Sequence, residues 1–391
     1  MRYIPNTPEG TRDRLFAECQ QRREIETALT GLFARRGYSE IITPEEEFYD
    51  LFTGSGSAME QEEMVKLIDR SGKICVLRPD CTTPIARVAA TRLKDMPFPQ
   101  RFFYDQTVYR SGQEHMGQLR EIPQCGIELI GAKGERADLE VIATAVDALR
   151  ACGLEQFHIE LGHADIFPAL ASQLSMTREE LERMRSLIEG KNYAALNDFL
   201  GRFGEQPGCQ ALQRLAYLFG GAEVLDEAEA LAGPLPAISY LRRLYQLLDQ
   251  SGYGRYIRFD LGLVHHLDYY TGPVFRGYAE GAGEAVLSGG RYDQLCGVFG
   301  RSAAAAGFAI HVDAVGRCLP EPVPAKVSSM VWHPDELFTM ALRYVESCTP
   351  GSCELSTCAT LEDTIQLANE RGIRKLVILS PGKVEEVDIG E

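Results

Sequence analysis

The chain has 391 residues, 45% of them apolar and 25% charged, with a formal net charge of −16. Length suggests about two or three domains, and the composition supports a substantial core and excludes wholesale disorder. The acidic balance argues against a protein whose main work is gripping phosphate backbones.

Residues 11–36 read as one amphipathic helix, with Leu15, Phe16, Cys19, Ile25, Leu29, Leu32 and Phe33 at helical spacing and Gly37 as its stop. Tyr38–Thr43 reads as a strand ending at Pro44, residues 72–78 as a second, and Ala86–Leu93 as part of a helix. Residues 101–109 and 124–131 read as a long-looped antiparallel pair, 136–152 as a helix and 156–161 as a strand. From about 166 to 252 Leu, Ala, Glu and Arg dominate, the pattern of a helical insertion. Strand character returns at Tyr256–Leu261, Val274–Tyr278 and Gly283–Leu287. Pro320, Pro322 and Pro324 mark a linker over 320–326. Beyond it, strand 327–333, helix 335–347, strand 353–357, helix 360–371 and strand 374–379 predict a small βαβαβ unit.

Eleven cysteines without a Cys-x-x-Cys pair read as buried thiols of a reducing compartment. Cys348, Cys353 and Cys358 are evenly spaced, but their flanking turn residues suggest ordinary strand and loop positions. His265-His266 lies on strand-like sequence, where neighbours face opposite ways and rarely share a metal. The first residues, Met1 to Asn6, carry no apolar signal core, and no run of about eighteen apolar residues occurs. The expectation is a soluble cytoplasmic protein without a membrane span.

Several segments resemble class II aminoacyl-tRNA synthetases, specifically the histidyl enzymes. Thr7-Pro8-Glu9-Gly10-Thr11-Arg12-Asp13 is similar to that family's opening, and Gly37 to Pro44 to its motif 1. Leu77-Arg78-Pro79-Asp80-Cys81-Thr82 is similar to its Leu-Arg-Pro-Glu-Gly-Thr, and Phe102 to Gly131 to motif 2. Leu267 to Gly272 and Ser288 to Asp293 resemble the two histidine-specific signatures. The matches keep the family's order over roughly 7–313. The resemblance implies an α+β fold: an antiparallel sheet flanked by helices over 1–319, holding the helical insertion, then the linker and a small C-terminal α/β domain over 327–391. It also implies self-association as a dimer.

A histidine pocket needs a carboxylate for the α-ammonium, a polar reader for the imidazole and aromatic walls. By resemblance these tasks fall to Asp80, Thr82, Gln124, Glu128, Tyr270 and Tyr292. Asp80 stands where the family has Glu. Positions 124, 126 and 128 share a strand face by the period of two. Taken singly, Gln124 and Glu128 read as a solvated face; inside matching motifs they read as a pocket.

The groups that handle ATP depart from the family. Activation needs fixed cations at the developing phosphate charge, and arginine forks serve best. Motif 2 here is Tyr109-Arg110-Ser111-Gly112-Gln113: Arg110 survives as a candidate residual phosphate contact, while Gly112 and Gln113 replace the family's Glu and Arg. His265 stands at the position of the histidine-specific arginine, and an ordinary imidazole is mostly neutral near neutral pH. Gly307-Phe308-Ala309-Ile310-His311-Val312-Asp313-Ala314 is similar to motif 3, with Ala314 at its arginine and His311 at a glycine. Arg317 lies about one helical turn beyond. Gly289-Gly290-Arg291 lacks the pattern of a phosphate loop. No catalytic residue, metal or cofactor is implied.

The C-terminal unit resembles a shortened anticodon-binding domain. Its Arg343, Arg371, Arg374, Lys375 and Lys383 are sparse among glutamates, a poor surface for tRNA. A histidine pocket without activation chemistry resembles the regulatory-subunit family of short-form ATP phosphoribosyltransferase. That resemblance implies a non-catalytic subunit of the first step of histidine biosynthesis. Its partners would be the catalytic short-form subunit and L-histidine as allosteric effector. The alternatives are an active histidyl-tRNA synthetase, a stand-alone pseudo-synthetase binding RNA, and a scaffold that binds no histidine.

Overall fold

A computed structural model describes residues 6–53, 61–111, 119–204, 206–263, 269–323 and 326–389. Among them, those up to Asp13 and from Gln21 to Glu321 form one compact unit, and those from Arg14 to Gln20 and from Pro322 onward a second.

The first elements are α1 (Ala17–Arg35), β1 (Ser39–Glu40), β2 (Glu46–Phe48), α2 (Asp50–Thr53), β3 (Lys66–Ile68), β4 (Ile74–Leu77) and α3 (Thr82–Ala90). The helix expected over 11–36 begins only at Ala17, because Phe16 takes a positive φ of 48°, a backbone conformation that does not propagate a right-handed helix. The strand expected over 38–43 shrinks to two residues, which pair in parallel with Phe102 and Phe103. The helix expected through Ala86–Leu93 spans Thr82–Ala90, starting beside Asp80. β2, β4 and β3 form a small separate sheet in that order.

β5 (Gln100–Tyr109) and β6 (Glu121–Ile130) are the long antiparallel pair, followed by α4 (Glu135–Ala151) and β7 (Phe157–His163). The insertion holds α5 (Ile166–Ala171), α6 (Arg178–Glu189), α7 (Tyr193–Leu200), α8 (Pro207–Leu215), the short strand β8 (Phe219–Gly220), α9 (Glu223–Ala232) and α10 (Pro236–Gln250). β9 (Ile257–Asp260), β10 (Pro273–Ala279), β11 (Leu287–Arg291), α11 (Leu295–Val298), β12 (Ala305–His311) and α12 (Val312–Cys318) complete the unit. The strand expected at Gly283–Leu287 falls instead on Leu287–Arg291. Gly281 and Gly283 take φ of 95° and 71° and turn the chain before it.

The main sheet has the order β1-β5-β6-β12-β11-β10-β7-β9-β8 and is antiparallel except at β1–β5 and β7–β9. Alternation along β6 divides its two faces. Cys125, Ile127 and Leu129 pack into the principal core with Ile25, Leu29 and Phe33 of α1, and with Ile142 and Val146 of α4. Gln124, Gly126 and Glu128 face the other way.

In the second unit β13 (Ser329–Trp332), α13 (Phe338–Ser347), β14 (Cys353–Leu355), α14 (Leu361–Glu370) and β15 (Lys375–Ser380) form the alternating pattern. A further strand, β16 (Lys383–Asp388), pairs antiparallel with β15 and gives the order β14-β13-β15-β16. Its acidic, exposed sequence carries no clear strand alternation, which hid it. Thr360 caps α14, accepting from the Asp363 amide at 3.1 Å. All eleven cysteines are free thiols. Among the described residues no helix is long and apolar enough to cross a membrane. Nor does any group of three or more His, Cys, Asp or Glu among them offer a metal site.

Candidate functional site

Four neighbouring strands build the floor of a pocket of about 340 Å³. Across the sheet, Glu128 of β6 pairs with Gly307 of β12, which pairs with Gly290 of β11. The next rung on the same face is Gly126, Ala309, Ser288 and Arg276. Beyond it Gln124 pairs with His311. Small residues at these crossings leave a hollow instead of a packed face. A Cβ on Gly307 would fall 2.1 Å from Glu128 Oε2; one on Gly126 would fall 2.5 Å from the Tyr104 hydroxyl. A Cβ on Gly290 would fall 2.5 Å from the Tyr270 ring. Glycine is thus required where a carboxylate and two tyrosines rest directly on the backbone.

The walls come from the start of α3 and from the segment entering β10. Thr82 donates to Glu128 Oε1 at 2.7 Å. Asp80 accepts from the Thr83 amide at 2.7 Å and from its hydroxyl at 3.1 Å, which holds the carboxylate at the helix start. Tyr269 stacks on Tyr292 with centroids 5.7 Å apart and meets Tyr270 edge-on at 4.8 Å. The pocket therefore gathers Asp80, Thr82, Gln124, Tyr270 and Tyr292 in its lining, with Glu128 beneath it.

Gln124 and Glu128 are buried, at 3% and 1% exposure, so the reading as a solvated strand face is set aside. Glu128 Oε2 and the Tyr292 hydroxyl are both buried with no hydrogen-bond partner among the described residues. Such groups are uncommon and costly unless something satisfies them. Burial, with Asp80 nearby, pushes the Glu128 carboxyl well above its ordinary range against the opposing Thr82 bond. Burial also raises Asp80, against the Thr83 bonds and Arg110. Tyr270 is pushed up to about 12, chiefly by burial. The pocket thus combines a buried carboxyl at Glu128 whose charged form is disfavoured, a second buried carboxyl at Asp80 and a group of tyrosines.

Two guanidiniums also line the pocket. Arg110 donates to the Pro79 carbonyl at 3.2 Å. Arg276 of β10 also lines the pocket; the motifs did not single it out, although the period of two sets it beside Ser288. Tyr104 and Tyr269 were missed likewise. His311 reaches the pocket, and burial together with Arg110 and Arg317 lowers it to about 4, so it is neutral near pH 7. Ala314 of α12 is buried in the principal core. Arg317 pairs with Glu284. Gly112, Gln113, His265 and His266 lie outside the described residues. Arg291, of the Gly-Gly-Arg sequence, is not among the residues lining this pocket and makes a buried ion pair with Asp138.

A model of the histidyl-tRNA synthetase family matches residues 10–315. A protein of Clostridium kluyveri named ATP phosphoribosyltransferase regulatory subunit is 43% identical over 325 residues, covering 81% of this chain and 82% of its own. One of the same name from Clostridium acetobutylicum is 38% identical, covering 100% and 98%. A crystal structure described as an ATP phosphoribosyltransferase regulatory subunit/histidyl-tRNA synthetase from Bacillus halodurans superposes with a TM-score of 0.86. It is 30% identical, over 97% of this chain and 99% of that one.

Proposed function

Because the chain belongs to the ATP phosphoribosyltransferase regulatory subunits, built on a histidyl-tRNA synthetase fold, we propose that its pocket senses L-histidine. It would report occupancy to a catalytic short-form subunit at the first step of histidine biosynthesis. The observation that carries this reading is the pair of buried groups without a partner among the described residues, Glu128 Oε2 and the Tyr292 hydroxyl. An imidazole offers one donor and one acceptor. A neutral Glu128 can donate to it, and the complex then shares a single proton between ring and carboxyl. Asp80 at the helix start is a partner for the α-ammonium, and Arg110 for the α-carboxylate.

No adenylate chemistry is assigned to this pocket. His311 is neutral and fills the place of a motif 3 glycine, and Ala314 offers no charge. Regulation then rests on histidine binding one conformation of the assembly better than another. The coupling needed is modest, about 1–3 kcal/mol. A dimer of this chain and an absence of tRNA binding belong to the same proposal.

Calorimetric titration of L-histidine into the chain, alone and with its catalytic partner, tests the reading. Glu128→Ala is expected to weaken histidine binding and blunt feedback inhibition while leaving complex assembly intact. Undiminished inhibition in that variant would remove Glu128 from sensing. Robust histidine-dependent pyrophosphate exchange would instead favour an active synthetase, and tight, salt-dependent tRNA binding an RNA-binding role.

A further inference from the structure

A second cavity, of about 920 Å³, opens where β7 and β9 begin and β10 ends. It shares no lining residue with the amino-acid pocket. Three arginines line it, unusual concentration for a chain of net charge −16. Arg150 is held by Asp147 at 3.0 Å. Arg255 donates to the Tyr256 hydroxyl at 2.5 Å and lies 4.7 Å above that ring. Arg258 donates to the Ile257 carbonyl at 2.9 Å. Neither Arg255 nor Arg258 is within ion-pair distance of a carboxylate among the described residues, although Arg258 lies across the ladder from Glu160 and acts on Glu223 at longer range, so two permanent charges line the cavity without a direct counter-ion.

Aromatic surface adjoins them. Phe157 stacks on Tyr256 at 4.8 Å and 14°, and His158 on Tyr278 at 5.9 Å and 26°. His158 is steadied by Glu160 at 3.3 Å. Glu155 and Glu280 also line the cavity. They disfavour a bare polyanion and accept hydrogen bonds from hydroxyl or amino groups. Guanidiniums prefer phosphate, and ring faces prefer a planar base.

We propose that this cavity binds a nucleotide. Arg255 and Arg258 take the phosphates, the half-buried rings of His158 and Tyr278 give the base a stacking surface, and the two carboxylates receive sugar hydroxyls or base amino groups. The site is independent of histidine sensing and stands or falls separately from it.

The test is calorimetry on the full chain with AMP, ATP, adenosine and pyrophosphate, each with and without saturating L-histidine. A nucleotide is expected to bind about tenfold or more tighter than adenosine or pyrophosphate alone, since phosphate and base each contribute. Arg255→Ala/Arg258→Ala should weaken nucleotide binding about tenfold or more, with the thermal midpoint little changed because both side chains are exposed. Arg110→Ala should leave it unaltered. Absence of nucleotide binding by the parent chain overturns the proposal. Loss in Arg110→Ala instead would move the nucleotide to the amino-acid pocket, and pyrophosphate binding as tightly as the nucleotide would leave only a phosphate site; either result also overturns it.

Discussion

Arg291 and Asp138, on β11 and α4, form a buried ion pair, with Arg291 Nη2 2.6 Å and Nε 2.9 Å from Asp138 Oδ1. Arg291 also donates to Asp293 at 2.9 Å and to the Ala132 carbonyl at 3.2 Å, and Tyr240 of α10 donates to the second Asp138 oxygen. One charged cluster therefore ties the helical insertion to the strand whose next residue, Tyr292, lines the pocket. Burial raises the Asp138 carboxyl even with Arg291 beside it.

Arg291→Met should leave that carboxyl buried without its cation. The expected loss is about 3–5 kcal/mol in denaturant unfolding, the usual effect of removing one partner of a buried pair. Arg291→Lys should recover little, because an ammonium cannot supply the same fork to Asp138, Asp293 and a carbonyl. A loss within experimental error for Arg291→Met would show the cluster to be dispensable.

Glu128→Gln should stabilise the histidine-free protein, and more so as pH rises. In the unfolded chain a glutamate ionises near 4.5, whereas burial keeps the folded carboxyl protonated well above that. Between those values the native state holds a proton that the unfolded state has released, so parental stability declines with rising pH. The slope is at most about 1.4 kcal/mol per pH unit. Thermal midpoints of parent and variant should coincide most closely near pH 4.5 and separate toward pH 8. A pH-independent gap would contradict the buried neutral acid.

Gly307→Ala should damage both stability and the pocket. The added Cβ would lie 2.1 Å from Glu128 Oε2 and 2.3 Å from the Ile127 carbonyl, and the second contact is backbone. Overpacking of this kind commonly destabilises by about 1–3 kcal/mol. Histidine titration of the folded variant should show binding reduced together with the displacement of Glu128; unchanged affinity would separate this glycine from the pocket.

Ala314→Arg should not restore nucleotide activation. Ala314 is 1% exposed within the principal core, so a guanidinium there would be buried without a designed partner. A loss of several kcal/mol is expected, with no histidine-dependent pyrophosphate exchange in whatever folds. A stable variant with exchange activity would show that one side chain had been the barrier.

The long strands, the helical insertion and the C-terminal alternation were legible because period and composition are local properties of the chain. The motifs also brought forward Asp80, Thr82, Gln124, Tyr270 and Tyr292, which line one pocket, and Glu128 beneath it, while their part in binding histidine belongs to the proposal. What stayed hidden depended on neighbours distant in sequence. Arg276 reaches the pocket because β10 lies beside β11, and Tyr104 because Gly126 leaves it room. The strand expected at 283–287 slipped because two glycines with positive φ turn the chain there. β16 is a strand because β15 supplies its hydrogen bonds, not because its own residues alternate.

Residue types and their order alone determined which family this chain joins, which acids and tyrosines it keeps, and which arginines it lacks. Only the folded sheet decided that Glu128 is buried with its carboxyl pushed above the ordinary range, that one of its oxygens lacks a partner among the described residues, and that Arg255 and Arg258 line another cavity. Burial and register arise from strands brought together across long stretches of chain, and no local pattern encodes them.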